Sequence, residues 1–118
     1  MEPQSSINLS YLVALCDGDD DFMNSIITSF VDEMPEILSM IQQKMQEGDW
    51  KMVGELAHKM KPSVQFVGMD STLEKARSIE LQCRNTNVCQ DQVSSLVSDV
   101  TEETKTAIMA LQEVLNKV

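Results

Sequence analysis

Residues 55–63 read Glu-Leu-Ala-His-Lys-Met-Lys-Pro-Ser and contain His58, the only histidine in a chain of 118 residues. Around this stretch apolar side chains recur every three or four residues, which is the spacing of a helix that packs one face against a core. The members of that apolar face are Val53, Leu56, Ala57, Met60, Val64 and Val67. At about 100° per residue, His58 lies roughly 150° from the middle of this face. The pattern therefore predicts that His58 points into solvent.

The same apolar spacing predicts four further helices. A short helix covers Leu9–Cys16, a long one follows Asp19–Asp21, another begins with a capping box at Asp70, and the last runs from Val93 to Val118. No segment of useful length alternates with period two, which is the pattern of a strand. The predicted fold is all-α: an antiparallel up-and-down four-helix bundle with a short N-terminal helix packed across one end.

Several local features indicate where these helices begin and end. Gly48 and Gly68 are expected to end helices, Asp49 to cap the helix that carries His58, and Asn85–Asn87 to form a turn. Pro35 either kinks the second helix or starts a new one, because proline cannot donate the helical hydrogen bond. The Asp19–Asp21 run suits an N-cap and is also a candidate divalent-metal site, with capping the simpler interpretation.

The composition is typical of one soluble globular domain, predicted to span residues 1–118. Nine basic and nineteen acidic side chains give a net charge of −10, which argues against nucleic acid as a partner. No apolar run approaches the length of a membrane span, and the first six residues lack the features of a signal peptide. We therefore expect a cytoplasmic protein with no membrane partner. Its three cysteines fit no CxxC pattern and are expected to be reduced thiols without a metal.

A histidine on a bundle helix can serve three kinds of site chemistry. Glu55 and His58 form a Glu-x-x-His pair, but a bundle di-iron site needs two such pairs and the chain has one histidine. A Ser or Cys hydrolase needs a nucleophile, an orienting group and an oxyanion hole, and nothing near His58 supplies that set. The remaining chemistry uses the imidazole itself, since a neutral ring nitrogen can attack phosphorus. Lys61, one turn further on, is placed to balance phosphoryl charge, and Lys59 adds a weaker positive charge.

Over essentially its whole length, the sequence resembles the histidine-containing phosphotransfer (HPt) domains of multistep phosphorelays. Their motif has an alanine and the phospho-accepting histidine, a lysine three residues later, then a glycine and a serine, and a second glycine ten residues beyond the histidine. The matching positions are Ala57, His58, Lys61, Pro62, Ser63 and Gly68, with further matches at Gly48-Asp49-Trp50, Ala76 and Ile79-Glu80. Pro62 departs from the pattern, because the family usually has glycine there.

The resemblance implies roles for individual residues. His58 would be transiently phosphorylated, Lys61 would neutralise the phosphoryl group, and Glu80 from the adjacent helix would orient the imidazole, although a solvent-facing glutamate is the commoner case. Pro62 is expected to bend the helix over Glu55–Pro62, since its ring collides with the carbonyl of His58.

A docking surface is expected around His58, where a partner domain would press against the helix. Its predicted members are Lys59, Pro62, Gln65 and Phe66. Val64 and Met69 either widen this surface or pack in the core.

The function implied is that of a phosphorelay intermediate. A receiver domain carrying phospho-aspartate would dock on the His58 face, and the group would later pass to another receiver. The chain is expected to be a monomer that binds no cofactor, with Mg²⁺ belonging to the receiver. It has no glycine-rich phosphate loop, so ATP-dependent kinase activity is not expected. The alternatives are a non-catalytic helical adaptor that binds a partner through the same face, and a degenerate phosphotransfer fold that regulates a kinase by binding alone.

Overall fold

The computed structural model describes residues 7–85 and 88–116, and those residues form α-helices and no strand. The all-α prediction is therefore confirmed. The turn predicted at Asn85–Asn87 includes Thr86 and Asn87, and the predicted end of the last helix is Val118; these three residues lie outside the described ranges. The helices are α1 (Ser10–Cys16), α2 (Asp20–Glu47), α3 (Trp50–Phe66), α4 (Asp70–Cys83) and α5 (Gln90–Asn116).

Four of these helices form the predicted bundle. Each packs against the next in the chain, and α2 also contacts α5, which closes the ring. The α2–α3 connection is only Gly48 and Asp49, which brings the two helices together in antiparallel orientation. The short helix α1 packs on α2, and the Asn8 backbone N–H before it donates to the Val67 carbonyl at 2.9 Å. This bond fixes α1 at the end of the bundle where α3 stops.

The core follows the periodicity of the sequence. Every position of the predicted apolar face of α3 is buried, at 5% exposure or less. Large side chains from the other helices complete the same core, including Leu12, Ile27, Met34, Ile41, Ile79, Val93 and Leu111. In the described ranges, no helix has the length and apolar character that crossing a bilayer requires.

The helix ends agree with the sequence at most positions. The Asp19 carboxylate accepts a hydrogen bond from the Phe22 backbone N–H at 3.0 Å, and Asp49 does the same for Met52 at 3.2 Å. These contacts support the capping interpretation of the acidic run.

The predicted capping box at Asp70 is wrong. Asp70 is already helical, and the residue before it, Met69, makes no side-chain capping bond. Met69 is fully buried, so packing of its side chain in the core, and not a polar cap, fixes where α4 begins.

Both internal prolines lie within continuous helices. Pro35 is inside α2 and Pro62 is inside α3, so neither starts a new helix. Because proline has no N–H, the carbonyls of Val31 and His58 lack their usual helical donors. The helix α3 is continuous from Trp50 to Phe66, and the bend expected over Glu55–Pro62 stays a prediction.

A glycine allows α3 and α4 to approach closely beside His58. A Cβ on Gly54 would lie 2.8 Å from the Cβ of Cys83, which is closer than two carbon atoms pack. Only a residue without a side chain permits this separation. The close approach brings the last two turns of α4, which include Glu80, against the face of α3 next to His58.

Candidate functional site

His58 lies on the solvent side of α3, as its position on the helical wheel predicts. The residues that precede it, Leu56 and Ala57, are buried, whereas the His58 side chain is 63% exposed. The helix therefore presents an imidazole on an open surface, held by a rigid and well-packed element.

A buried carboxylate from α4 binds this imidazole. Glu80 Oε2 lies 2.7 Å from His58 Nδ1, and the Glu80 side chain is only 6% exposed. The contact expected from the family resemblance is therefore present, and the alternative of a solvent-facing glutamate is wrong. Burial of a carboxylate is costly unless it is paired, so Glu80 is expected to have further partners.

Two cations bind the same carboxylate. Lys61 Nζ lies 2.6 Å from Glu80 Oε1, and Arg84 Nη2 lies 2.6 Å from Oε2, the oxygen that also binds His58. Lys61 is thus beside the imidazole, as predicted, but it is engaged by Glu80. Arg84 was not singled out from the sequence, although a glutamate and an arginine four residues apart on a helix are a recognised pair.

These contacts set the protonation of the site. The hydrogen bond from Lys61 lowers the pKa of Glu80 below its ordinary value of 4.5; burial opposes this effect, and the hydrogen bond from His58 adds to it. Glu80 is therefore ionised at neutral pH and can only accept hydrogen bonds. His58 Nδ1 must then donate, which leaves the lone pair of the neutral ring on Nε2.

The lowered pKa of Glu80 predicts a pH dependence of stability. The folded state binds the proton of the Glu80 carboxyl less tightly than the unfolded state does. The stabilisation is therefore complete above pH 4.5 and is lost as the pH falls through the lower pKa that Glu80 has in the folded state. We expect Glu80→Gln to lower the free energy of unfolding at pH 7, with the difference from wild type shrinking below pH 4.5. Urea unfolding of both proteins from pH 7 to pH 3 measures this, and a difference that does not change with pH would contradict it.

A groove of about 690 Å³ runs beside the imidazole. Its lining includes a thiol as a second potential nucleophile, that of Cys83. Burial raises the pKa of the Cys83 thiol above its ordinary value of 9.0, so it stays protonated at neutral pH and is a poor nucleophile. His58 is therefore the nucleophile that the groove offers. The lining residues are Lys51, Gly54, Glu55, His58, Glu80, Cys83 and Arg84.

In the described part of the chain, no group of three or more His, Cys, Asp and Glu side chains is arranged to hold a metal ion. Glu55, the other half of the Glu-x-x-His pair, is exposed at the groove.

The predicted docking residues divide into two sets. Lys59, Pro62 and Gln65 are exposed on the His58 side of α3. Phe66 is half-buried, and its ring stacks on that of Tyr11, with the centroids 6.2 Å apart. Tyr11 is 52% exposed, so α1 extends this surface beyond α3.

Val64 and Met69 are fully buried, so the option that they widen the docking surface is wrong. Tyr11 was missed, because periodicity within α1 does not tell which helix α1 will meet.

Comparison with known proteins finds similarity to a family model and to a solved structure. The model of a protein family described as Hpt domain matches residues 25–116. The fold is similar to the crystal structure of the HPT domain from the Hpt sensor hybrid histidine kinase from Shewanella, with a TM-score of 0.82 and 15% sequence identity over 97% of each chain. At that identity the structural match shows the fold alone. No curated protein sequence matches this chain significantly.

Proposed function

Because this chain belongs to the Hpt domain family, which acts in histidine phosphotransfer in two-component phosphorelays, we propose that it accepts a phosphoryl group on His58 from a receiver-domain aspartate and passes it to another receiver. Hpt domains interact with receiver domains of two-component systems. The observation that carries the proposal is the exposed imidazole whose Nδ1 is held by the buried Glu80 carboxylate at 2.7 Å.

The transfer step uses the lone pair on Nε2. As the new bond from Nε2 to phosphorus forms in line, the bond from phosphorus to the aspartate oxygen of the receiver breaks, and the aspartate leaves as a carboxylate. The ring gains positive charge, which the ionised Glu80 beside Nδ1 balances without moving. The second transfer reverses these bond changes onto another receiver.

Lys61 and Arg84 have different roles in this step. Both bind Glu80 in the unphosphorylated site, Lys61 at Oε1 and Arg84 at Oε2. A phosphoryl group on Nε2 adds a second anion within one helical turn of Lys61. We propose that Lys61 neutralises the phosphoryl oxygens, while Arg84 helps to keep Glu80 in place below the ring.

We propose that residues 1–118 act as a single domain and as a monomer in the cytoplasm. The chain would bind no cofactor of its own, with Mg²⁺ held by the receiver, and it would not phosphorylate itself from ATP. The sequence supports the last point, since it contains no glycine-rich phosphate loop.

Incubation with a panel of labelled phospho-receivers tests the proposal. We expect at least one receiver to transfer its label, and the label on this chain to be stable in base and labile in acid, as a phosphoramidate is. Receivers that bind without transferring label would instead indicate a non-catalytic adaptor or a degenerate phosphotransfer fold. Label that survives acid would place the phosphoryl group on a residue other than histidine.

A further inference from the structure

The cations of this acidic chain are concentrated around His58. Four of its nine lysines and arginines lie there, and we refer to them as the cationic rim: Lys51, Lys59, Lys61 and Arg84. Lys51 and Arg84 line the groove together with Glu55 and Glu80, and Glu80 is only 6% exposed and is bound by Lys61 and Arg84. Lys51, Lys59 and Arg84 are exposed, and Glu55 is the exposed carboxylate of the groove lining. The exposed charge next to His58 is therefore mainly positive on a protein of net charge −10.

Two cations of the rim differ from the paired lysines and arginines elsewhere in the described residues. Lys44, Lys75 and Arg77 each bind a glutamate that neutralises them locally. In residues 7–85 and 88–116, the lysines without a carboxylate within 4.0 Å are Lys51 and Lys59, and both belong to the rim. Their charges are therefore available to a partner.

Lys51 is placed to bind a partner without contacting the reacting atoms. It lies seven residues before His58 on the same face of α3, about 10 Å away along the helix. It lines the same groove as His58 and Arg84. At that distance Lys51 is too far to act on phosphorus, but it can contact a domain that covers the groove.

We propose that the cationic rim attracts and orients the receiver face that carries the phospho-aspartate, and that Lys51 contributes to this encounter and not to the chemical step. The inference rests on the proposed function, which requires the partner surface at His58 to present a phosphorylated carboxylate. A chain of net charge −10 repels such an anionic face at long range. Where the two domains meet, the unpaired lysines of the rim turn this repulsion into attraction. Such attraction raises the association rate more than it raises the affinity.

The test compares Lys51→Glu with Lys105→Glu. Both variants change the net charge equally, and Lys105 is an exposed residue of α5 outside the rim. Lys51 is the second residue of α3, whose first turn has no acidic side chain, so glutamate there suits the helix dipole and should not destabilise the fold. The second-order rate of label transfer is measured with a phospho-receiver from which the wild-type chain takes label, at about 0.1 M and about 1 M salt.

At about 0.1 M salt we expect Lys51→Glu to be slower than wild type by about threefold to tenfold and Lys105→Glu to be within about twofold of it. At about 1 M the difference should disappear, while the final level of labelled His58 is unchanged throughout. Equal rates for the two variants, or a defect of Lys51→Glu that is independent of salt, would overturn the inference and leave the proposed function standing. A wild-type chain that takes no label from any receiver would overturn both.

Discussion

A His58→Gln variant is expected to take up no phosphoryl group and to keep its fold. Glutamine has no nucleophilic nitrogen, so the label should fall to background, at least about 100-fold below wild type, since the residue that forms the bond is gone. The side chain at this position is 63% exposed, and Glu80 keeps its bonds from Lys61 and Arg84 when the bond from His58 is lost, so the free energy of unfolding should change by about 1 kcal/mol or less.

Transfer from a labelled phospho-receiver, together with urea unfolding, measures both quantities. Binding of the receiver to His58→Gln is the control, because an intact docking surface should still capture it. Label on this variant comparable to that on wild type would mean that another residue is the acceptor. Loss of both label and fold would contradict the position of His58 on the solvent side of α3.

A Glu80→Gln variant is expected to transfer about 10- to 100-fold more slowly, a loss of the size found when a carboxylate that orients a metal-binding histidine is removed. The amide keeps the shape of the side chain but removes the charge that balances the phosphorylated ring. It also deprives Lys61 and Arg84 of the carboxylate that positions them. Glu80 is a positioning residue in this account, since it acts through His58 and does not touch phosphorus.

Glu74→Gln is the matched control for Glu80→Gln. Glu74 is on the same helix, is exposed, and binds only Arg77 among the ion pairs of the described residues. Saturation with the receiver separates receiver binding from phosphoryl transfer: the maximal rate of Glu80→Gln should fall by a larger factor than the receiver concentration at half-maximal rate changes. A rate within about twofold of Glu74→Gln would remove Glu80 from the mechanism.

The parts of this structure that depend on local periodicity could be predicted from the sequence. The apolar face of α3 and the outward direction of His58 follow from residue spacing alone, and both are observed. The N-caps at Asp19 and Asp49 were predictable for the same reason, because a cap is a contact between residues three apart.

The parts that depend on packing between helices could not be predicted from spacing. Glu80 is 22 residues from His58, and only the family resemblance indicated its contact. The stack of Tyr11 on Phe66 joins α1 to α3, and no repeat in either helix encodes it. The start of α4 was misplaced because burial of Met69 decides it, whereas the sequence offered a polar cap at Asp70.

The proposed transfer places the phosphoryl group on Nε2 of His58. With ¹⁵N-labelled histidine, the spectrum of the full chain contains a single imidazole, that of His58. After transfer from a phospho-receiver, we predict ³¹P–¹⁵N coupling at Nε2, with Nδ1 still protonated and bonded to Glu80. Coupling at Nδ1, or an unchanged imidazole spectrum in a chain that has gained phosphate, would contradict the account.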